Sequence, residues 1–194
     1  MKRTALIACG ALAREVLALK EKYGWEADIL ALPSLLHNTP RRIPGAILKR
    51  IREARQSYER VLVVYGDCGT GGMLDRLLER EGVQRVAGPH CYEIYADGSF
   101  ERLMEEALGT FFLTDYLVRS FDHLVLEDLG LARHPELRDE YFKNYTRVVY
   151  LAQRNDPALQ ARAAWAAAAL GLPLEVRLTG YGGLERRLKE LMET

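Results

Sequence analysis

Short apolar runs alternate along this chain with stretches whose apolar residues recur every three or four positions, the pattern of strands joined by crossover helices. TALIAC at 4–9 is a continuous apolar run of strand length, and over 11–22 Leu12, Val16 and Leu19 fall on one helical face. EADILAL at 26–32 predicts a second strand. After Pro40, Ile43, Ile47, Ile51 and Ala54 return at helical spacing, with Arg41, Arg42, Lys49, Arg50 and Arg52 on the other faces, so this helix is expected to lie against a sheet. RVLVVY at 60–65 suits a central strand buried on both faces. Met73, Leu74, Leu77 and Leu78 then mark a helix stopping near Gly82, and VQRVAG at 83–88 begins a fourth strand. Over 99–145 the alternation breaks: FFLTDYLVRSF and RHPELRDEYFKNY read as helices with no strand between them. It resumes with TRVVYL at 146–151, an alanine-rich helix over 157–170, a strand over 173–178 and a last helix through Leu184, Leu188 and Leu191. The expectation is a single α/β domain over 1–194, Rossmann-like, with a mainly parallel sheet of about six strands and a helical insertion at 99–145.

Parallel strands present their carboxyl ends on one edge, and ligands bind there. The predicted strand ends are chemically unusual. They lead into Cys9-Gly10, His37-Asn38, the loop Gly66-Asp67-Cys68-Gly69-Thr70-Gly71-Gly72, His90-Cys91, Gln153 and Thr179-Gly180. All three cysteines stand just past a strand end. Converging, Cys9, Cys68 and Cys91 are a candidate ligand set for a zinc ion with an open fourth position, or for three irons of a four-iron cluster. None lies in a C-x-x-C pair, so the site depends on the fold to assemble it; singly, each reads as a small core residue. Gly69, Thr70, Gly71 and Gly72 open a helix and could turn backbone N–H groups toward a small anionic molecule. The loop lacks the Gly-Lys-Ser/Thr end of a Walker motif and is not a G-x-G-x-x-G fingerprint. For proton movement the candidates are His90 and Asp67. The segment from Thr110 to Asp115 reads as a core helix with a Thr or Asp cap, Asp115 being a secondary site candidate, and Arg133 and His134 either reach toward the cleft or form a surface ion pair.

Charge and composition narrow the partners. Twenty-seven basic and 27 acidic residues give a formal charge of zero, which excludes a global field for nucleic acid or an anionic membrane. Three cysteines form no disulfide framework and suit a reducing compartment. Met1-Lys2-Arg3 ahead of Cys9 imitates a lipoprotein processing site without the apolar stretch such a signal needs. The longest apolar run, 163–174, contains Gly171 and Pro173 and is too short to span a bilayer. A cytoplasmic location is expected. The first and third βα units, each a strand followed by Cys-Gly and a helix, read equally as a decayed duplication or as two instances of a common unit.

CGALAREV, LLHNTP, YGDCGTGG, GPHCYE, GTFFLTDYLVRSFD, LGLARHPELRDEYFKNYTRVVYLAQ and TGYGGLE follow one another in this order. With these blocks the chain resembles a prokaryotic family catalogued as a domain of unknown function, often encoded near corrinoid-dependent methyltransferases. The blocks hold all three cysteines, His37, His90, His134 and Gln153. The resemblance implies service in one-carbon or corrinoid methyl-group metabolism, with a corrinoid protein as partner. Two functions are carried forward. In one, a strand-end cleft uses the cysteines to hold a metal or iron–sulfur cluster. In the other, a non-catalytic ligand-binding, chaperone or sensor protein has cysteines that only pack.

Overall fold

A computed structural model describes residues 4–194; Met1-Lys2-Arg3, the start of the lipoprotein-like stretch, lies outside the described residues. In chain order the elements are β1 (Thr4–Cys9), α1 (Ala13–Tyr23), β2 (Ala27–Leu32), α2 (Ile43–Ala54), β3 (Arg60–Val64), α3 (Met73–Glu81), β4 (Gln84–Arg85) and α4 (Cys91–Ala96). They continue with α5 (Phe100–Glu106), β5 (Thr110–Thr114), α6 (Asp115–Arg119), α7 (Leu137–Phe142), β6 (Arg147–Ala152), α8 (Pro157–Leu170), β7 (Leu174–Leu178) and α9 (Gly182–Glu193). The chain divides into two compact units, one running to Ile94 and resuming at Tyr181–Thr194, the other spanning Tyr95–Gly180.

The first unit holds a four-stranded parallel sheet in the order β2-β1-β3-β4. Every residue of β1 is buried, as are Leu62, Val63 and Val64 of β3, which is why these two segments read as unbroken apolar runs. Ile43, Ile47 and Ile51 of α2 are wholly buried at every fourth position, each burial stabilising by roughly 1.5–3 kcal/mol. Leu74, Leu77 and Leu78 do the same for α3. From β1 the chain passes to β2 on one side and then crosses to β3 on the other. The connections therefore diverge between β1 and β3, and the carboxyl ends of those strands flank the resulting crevice.

The second unit has a three-stranded parallel sheet, β5-β6-β7. Its core gathers Leu113, Val118, Phe121, Val148, Tyr150 and Leu170, with Ala163 and Ala166 of α8 among them. Asp156 caps α8, accepting from the Ala158 and Leu159 amides at 3.0 and 3.2 Å, and Pro157 occupies its first turn.

The α/β class holds, while two expectations are corrected. One sheet of about six strands becomes two separate parallel sheets of four and three strands. The stretch 99–145 is not wholly helical, because TFFLT forms β5 and pairs with β6 from Thr110↔Arg147 to Thr114↔Leu151. Its strand runs straight into α6 with no turn residue between, so the two periodicities merge into one helix-like pattern. The fourth strand is also shorter than its apolar run, pairing only at Gln84 and Arg85. No helix among the described residues is long and apolar enough to cross a membrane.

Candidate functional site

In the first unit β1, β3 and β4 are parallel, so the loops carrying Cys9, Cys68 and Cys91 leave one edge of the sheet, as the sequence suggested. Backbone contacts stitch two of these loops together. The Asp67 N–H donates to the Gly88 carbonyl at 3.0 Å and the Cys68 N–H to the Pro89 carbonyl at 2.7 Å. Gly66 permits the approach, since a Cβ there would stand 2.9 Å from His90 Cα and 3.3 Å from Cys68 Sγ. Arg85 holds the same loops from below. One Nη1 lies 3.2, 2.9 and 3.2 Å from the carbonyl oxygens of Tyr65, Val86 and Gly88, while Nε and Nη2 grip both oxygens of Asp75 at 2.5 and 2.9 Å. Cys68 has φ 48, a left-handed backbone that favours glycine.

Cys9 is buried; Cys68 and Cys91 are partly so, and none is in a disulfide. Burial, then the charges of the Cys9 sulfur and the Asp67 carboxylate, push the Cys68 thiol up to about 12, against the Arg85 charge. Cys91 is pushed up to about 12 by burial and then by Cys68 and Cys9. Burial also raises Cys9 above the ordinary thiol value, against hydrogen bonds from Ala11, Tyr65 and Leu12. The three sulfurs thus lie near enough to feel one another's charge, and as they stand all are neutral thiols at pH 7. Among the described residues no three His, Cys, Asp or Glu side chains are placed so that they could hold a metal ion.

Asp67 ties its own loop together. Its carboxylate accepts from the Thr70 hydroxyl and from the Gly71 and Gly72 amides, both at 3.0 Å. Burial works to raise its pKa, but those bonds and the Arg85 charge outweigh burial and hold it below the usual carboxylate value. The amides expected to cradle an external anion are therefore taken by an internal one, and the Thr70 N–H donates to the Asp67 carbonyl at 3.1 Å. Gly71 and Gly72 thus turn their amides onto Asp67 within the loop. His90 opens α4: its Nδ1 accepts from the Glu93 N–H at 3.3 Å, placing the ring proton of the neutral form on Nε2. Burial lowers its pKa, with Glu93 acting in the opposite sense.

A family model described as a protein of unknown function, DUF1638, matches residues 31–188. The chain belongs to the DUF1638 family. No curated protein and no solved structure matches it. The matched span includes Cys68, Cys91 and the glycine loop and begins after β1, leaving Cys9 outside it.

Other residues of this DUF1638 chain singled out by sequence lie elsewhere. His37 is exposed, its Nδ1 2.7 Å from the Ser34 carbonyl oxygen, and His134 forms the expected surface pair with Glu136 at 3.2 Å. In the second unit Gln153 is buried and joins Asp115: its Oε1 accepts from the Asp115 N–H at 2.7 Å, and its own N–H donates to Asp115 Oδ1 at 3.0 Å. Asp115 is wholly buried, also accepting from the Tyr150 hydroxyl at 2.6 Å and pairing with Arg119 at 3.3 Å. Of the Thr or Asp cap that the sequence offered, Thr114 is the one that caps α6, its hydroxyl accepting from the Leu117 N–H. Two participants escaped sequence reasoning. Arg85 looked like a polar position of a strand, and Tyr65 like the end of an apolar run; only register with β1 marks Tyr65 as a neighbour of Cys9.

Proposed function

We propose that the crevice between β1 and β3 is a soft-metal site in which Cys9, Cys68 and Cys91 hold a zinc ion or an iron–sulfur cluster, with one position open to a small ligand. The observation that carries this reading is that β1, β3 and β4 run parallel, so the three loops bearing the free cysteines leave one edge of the sheet, beside the point where the strand order reverses. The Arg85 charge favours the ionised form of Cys68 but is outweighed by burial, Cys9 and Asp67, so a bound cation is what would let the three thiols ionise together. With the glycine-loop amides occupied, the small anionic molecule belongs on the cation itself. His90 Nε2–H is the side-chain donor we assign to proton movement there, and corrinoid-linked methyl-group metabolism is the service we propose, on the resemblance of the sequence blocks.

The neutral state of the thiols favours a second reading, a non-catalytic binding protein in which the cysteines pack. Elemental analysis and visible absorption of anaerobically purified protein separate the two. The metal reading expects about one ion or cluster per wild-type chain, and loss of most of it in Cys68→Ser and Cys91→Ser with only a modest fall in melting temperature. Wild-type protein that carries no metal and takes up none overturns it and leaves the packing role.

A further inference from the structure

β7 is an outer strand of the second unit's sheet, paired with β6 on one side. At its two ends the Val148 N–H donates to the Pro173 carbonyl at 2.8 Å and the Thr179 N–H to the Ala152 carbonyl at 3.0 Å. Backbone direction alternates along a strand, so Glu175 and Arg177 also turn their polar groups to β6, while Leu174, Val176 and Leu178 turn theirs outward. The side chains follow the same alternation. Leu174 packs against the core of this unit, yet Val176 and Leu178 on the same face are 40% and 62% exposed. An open edge bearing apolar side chains is a template for another strand.

The sequence of this edge is complementary to itself. LEVRL has leucines at its ends, valine at its centre and opposite charges between. A two-fold axis through Val176 sets two copies antiparallel and pairs every outward backbone group: Val176 opposes its own counterpart, and Leu174 opposes Leu178 of the other copy. Between these rungs Glu175 faces Arg177 of the other copy, at the non-hydrogen-bonded positions where side chains approach most closely. Within one chain Arg177 already pairs with Glu175, which also meets Arg147 at 2.9 Å, so both charges are held on the strand's other face. A slip of two residues either way sets Glu175 against Glu175 or Arg177 against Arg177, and the charges therefore select one register.

We propose that β7 is the seat of a two-fold dimer of this chain, in which two three-stranded sheets join edge to edge through Val176. The occupant is a second copy because the edge matches itself in charge, apolar pattern and hydrogen-bond direction. A contact of five residues a side is small, so the dimer grows with concentration. The inference stands apart from the cysteine site, whose strands belong to the first unit.

Sedimentation of the reduced full chain from about 1 μM to about 1 mM should show the mass rise from one chain toward two. Arg177→Glu places like charges across the axis and should weaken association roughly tenfold. Its melting temperature should stay near that of wild type, since the Arg177 side chain is half-exposed. Val176→Cys, mildly oxidised, should give a disulfide-linked dimer, because Cα atoms of such a pair stand about 5.5 Å apart. Leu178→Cys should not, since the two introduced thiols would lie about four residues, roughly 14 Å, apart along the strands. Wild type oxidised alike accounts for any link through Cys9, Cys68 or Cys91. A wild type that stays monomeric at about 1 mM overturns the proposal. A dimer that Arg177→Glu leaves at full strength also overturns it, as does linkage at position 178 as fast as at 176, because the contact then lies elsewhere or in another register. Should Arg177→Glu lower the melting temperature, the contrast between the two cysteine variants decides alone.

Discussion

Cys68 combines a side chain with a backbone that suits glycine better. Its φ of 48 lies in the left-handed region, where a Cβ meets the following carbonyl and costs roughly 1–2 kcal/mol. Gly69, Gly71 and Gly72, nearby in the loop, have φ of 82, 62 and 77 and bear no such cost. The chain therefore uses glycine where only the turn matters and keeps a thiol where a thiol is present at the strand end. Comparison of two substitutions isolates that backbone effect, because each removes the sulfur. Cys68→Gly should be more stable than Cys68→Ala by about 1 kcal/mol in urea unfolding of the metal-free protein, the reverse of their order at an ordinary position. If alanine proves equal or better, Cys68 is not held left-handed and the loop has another shape in solution.

Among the elements, the weakest strand is the one that carries Cys91 toward the site. β4 pairs at only two residues, and the ends of β3 and β4 are instead joined through Arg85 and three backbone carbonyls. A lysine has no fork with which to reach these carbonyls and Asp75 at once. Arg85→Lys is expected to lower stability by roughly 1.5–3 kcal/mol in denaturant unfolding. Asp75→Asn should cost much less, since the Asp75 side chain is 54% exposed and water screens the pair. Equal losses would make the ion pair, and not the carbonyl clamp, the strut. Periodicity could not expose this device, because an arginine within VQRVAG looks like the outward residue of a strand. The same logic divides what was legible elsewhere. β1, β3 and α2 were readable because burial on both faces, or on one helical stripe, imprints directly on residue type. β5 was not, since its apolar residues run into those of α6. Cysteines at strand ends were visible as a pattern, but the occupation of the Gly71 and Gly72 amides by Asp67 follows from a side chain folding back, which no spacing encodes.

At the scale of the whole molecule, the last helix completes a core begun at the first strand. α9 follows the entire second unit in sequence yet belongs to the first, where Leu184 and Leu188 are wholly buried. The second unit closes its own core around Leu113, Phe121 and Tyr150. The chain's two tryptophans are divided between them. Trp25 stacks on Tyr23 with ring centroids 5.0 Å apart in the first unit. In the second, Trp165 meets Phe121 edge-on at 5.8 Å, and the Arg162 guanidinium lies 4.9 Å from its ring. Each indole therefore reports on one core once the other is replaced by phenylalanine. Leu188→Ala removes a buried side chain from the first core alone and should cost about 2–5 kcal/mol. In the Trp165→Phe background that loss should move the Trp25 unfolding curve by its full amount. In the Trp25→Phe background the Trp165 curve should stay in place, because none of the side chains in its core has changed. A displacement of the Trp165 curve as large as that of the Trp25 curve would show instead that the two cores unfold as one cooperative structure.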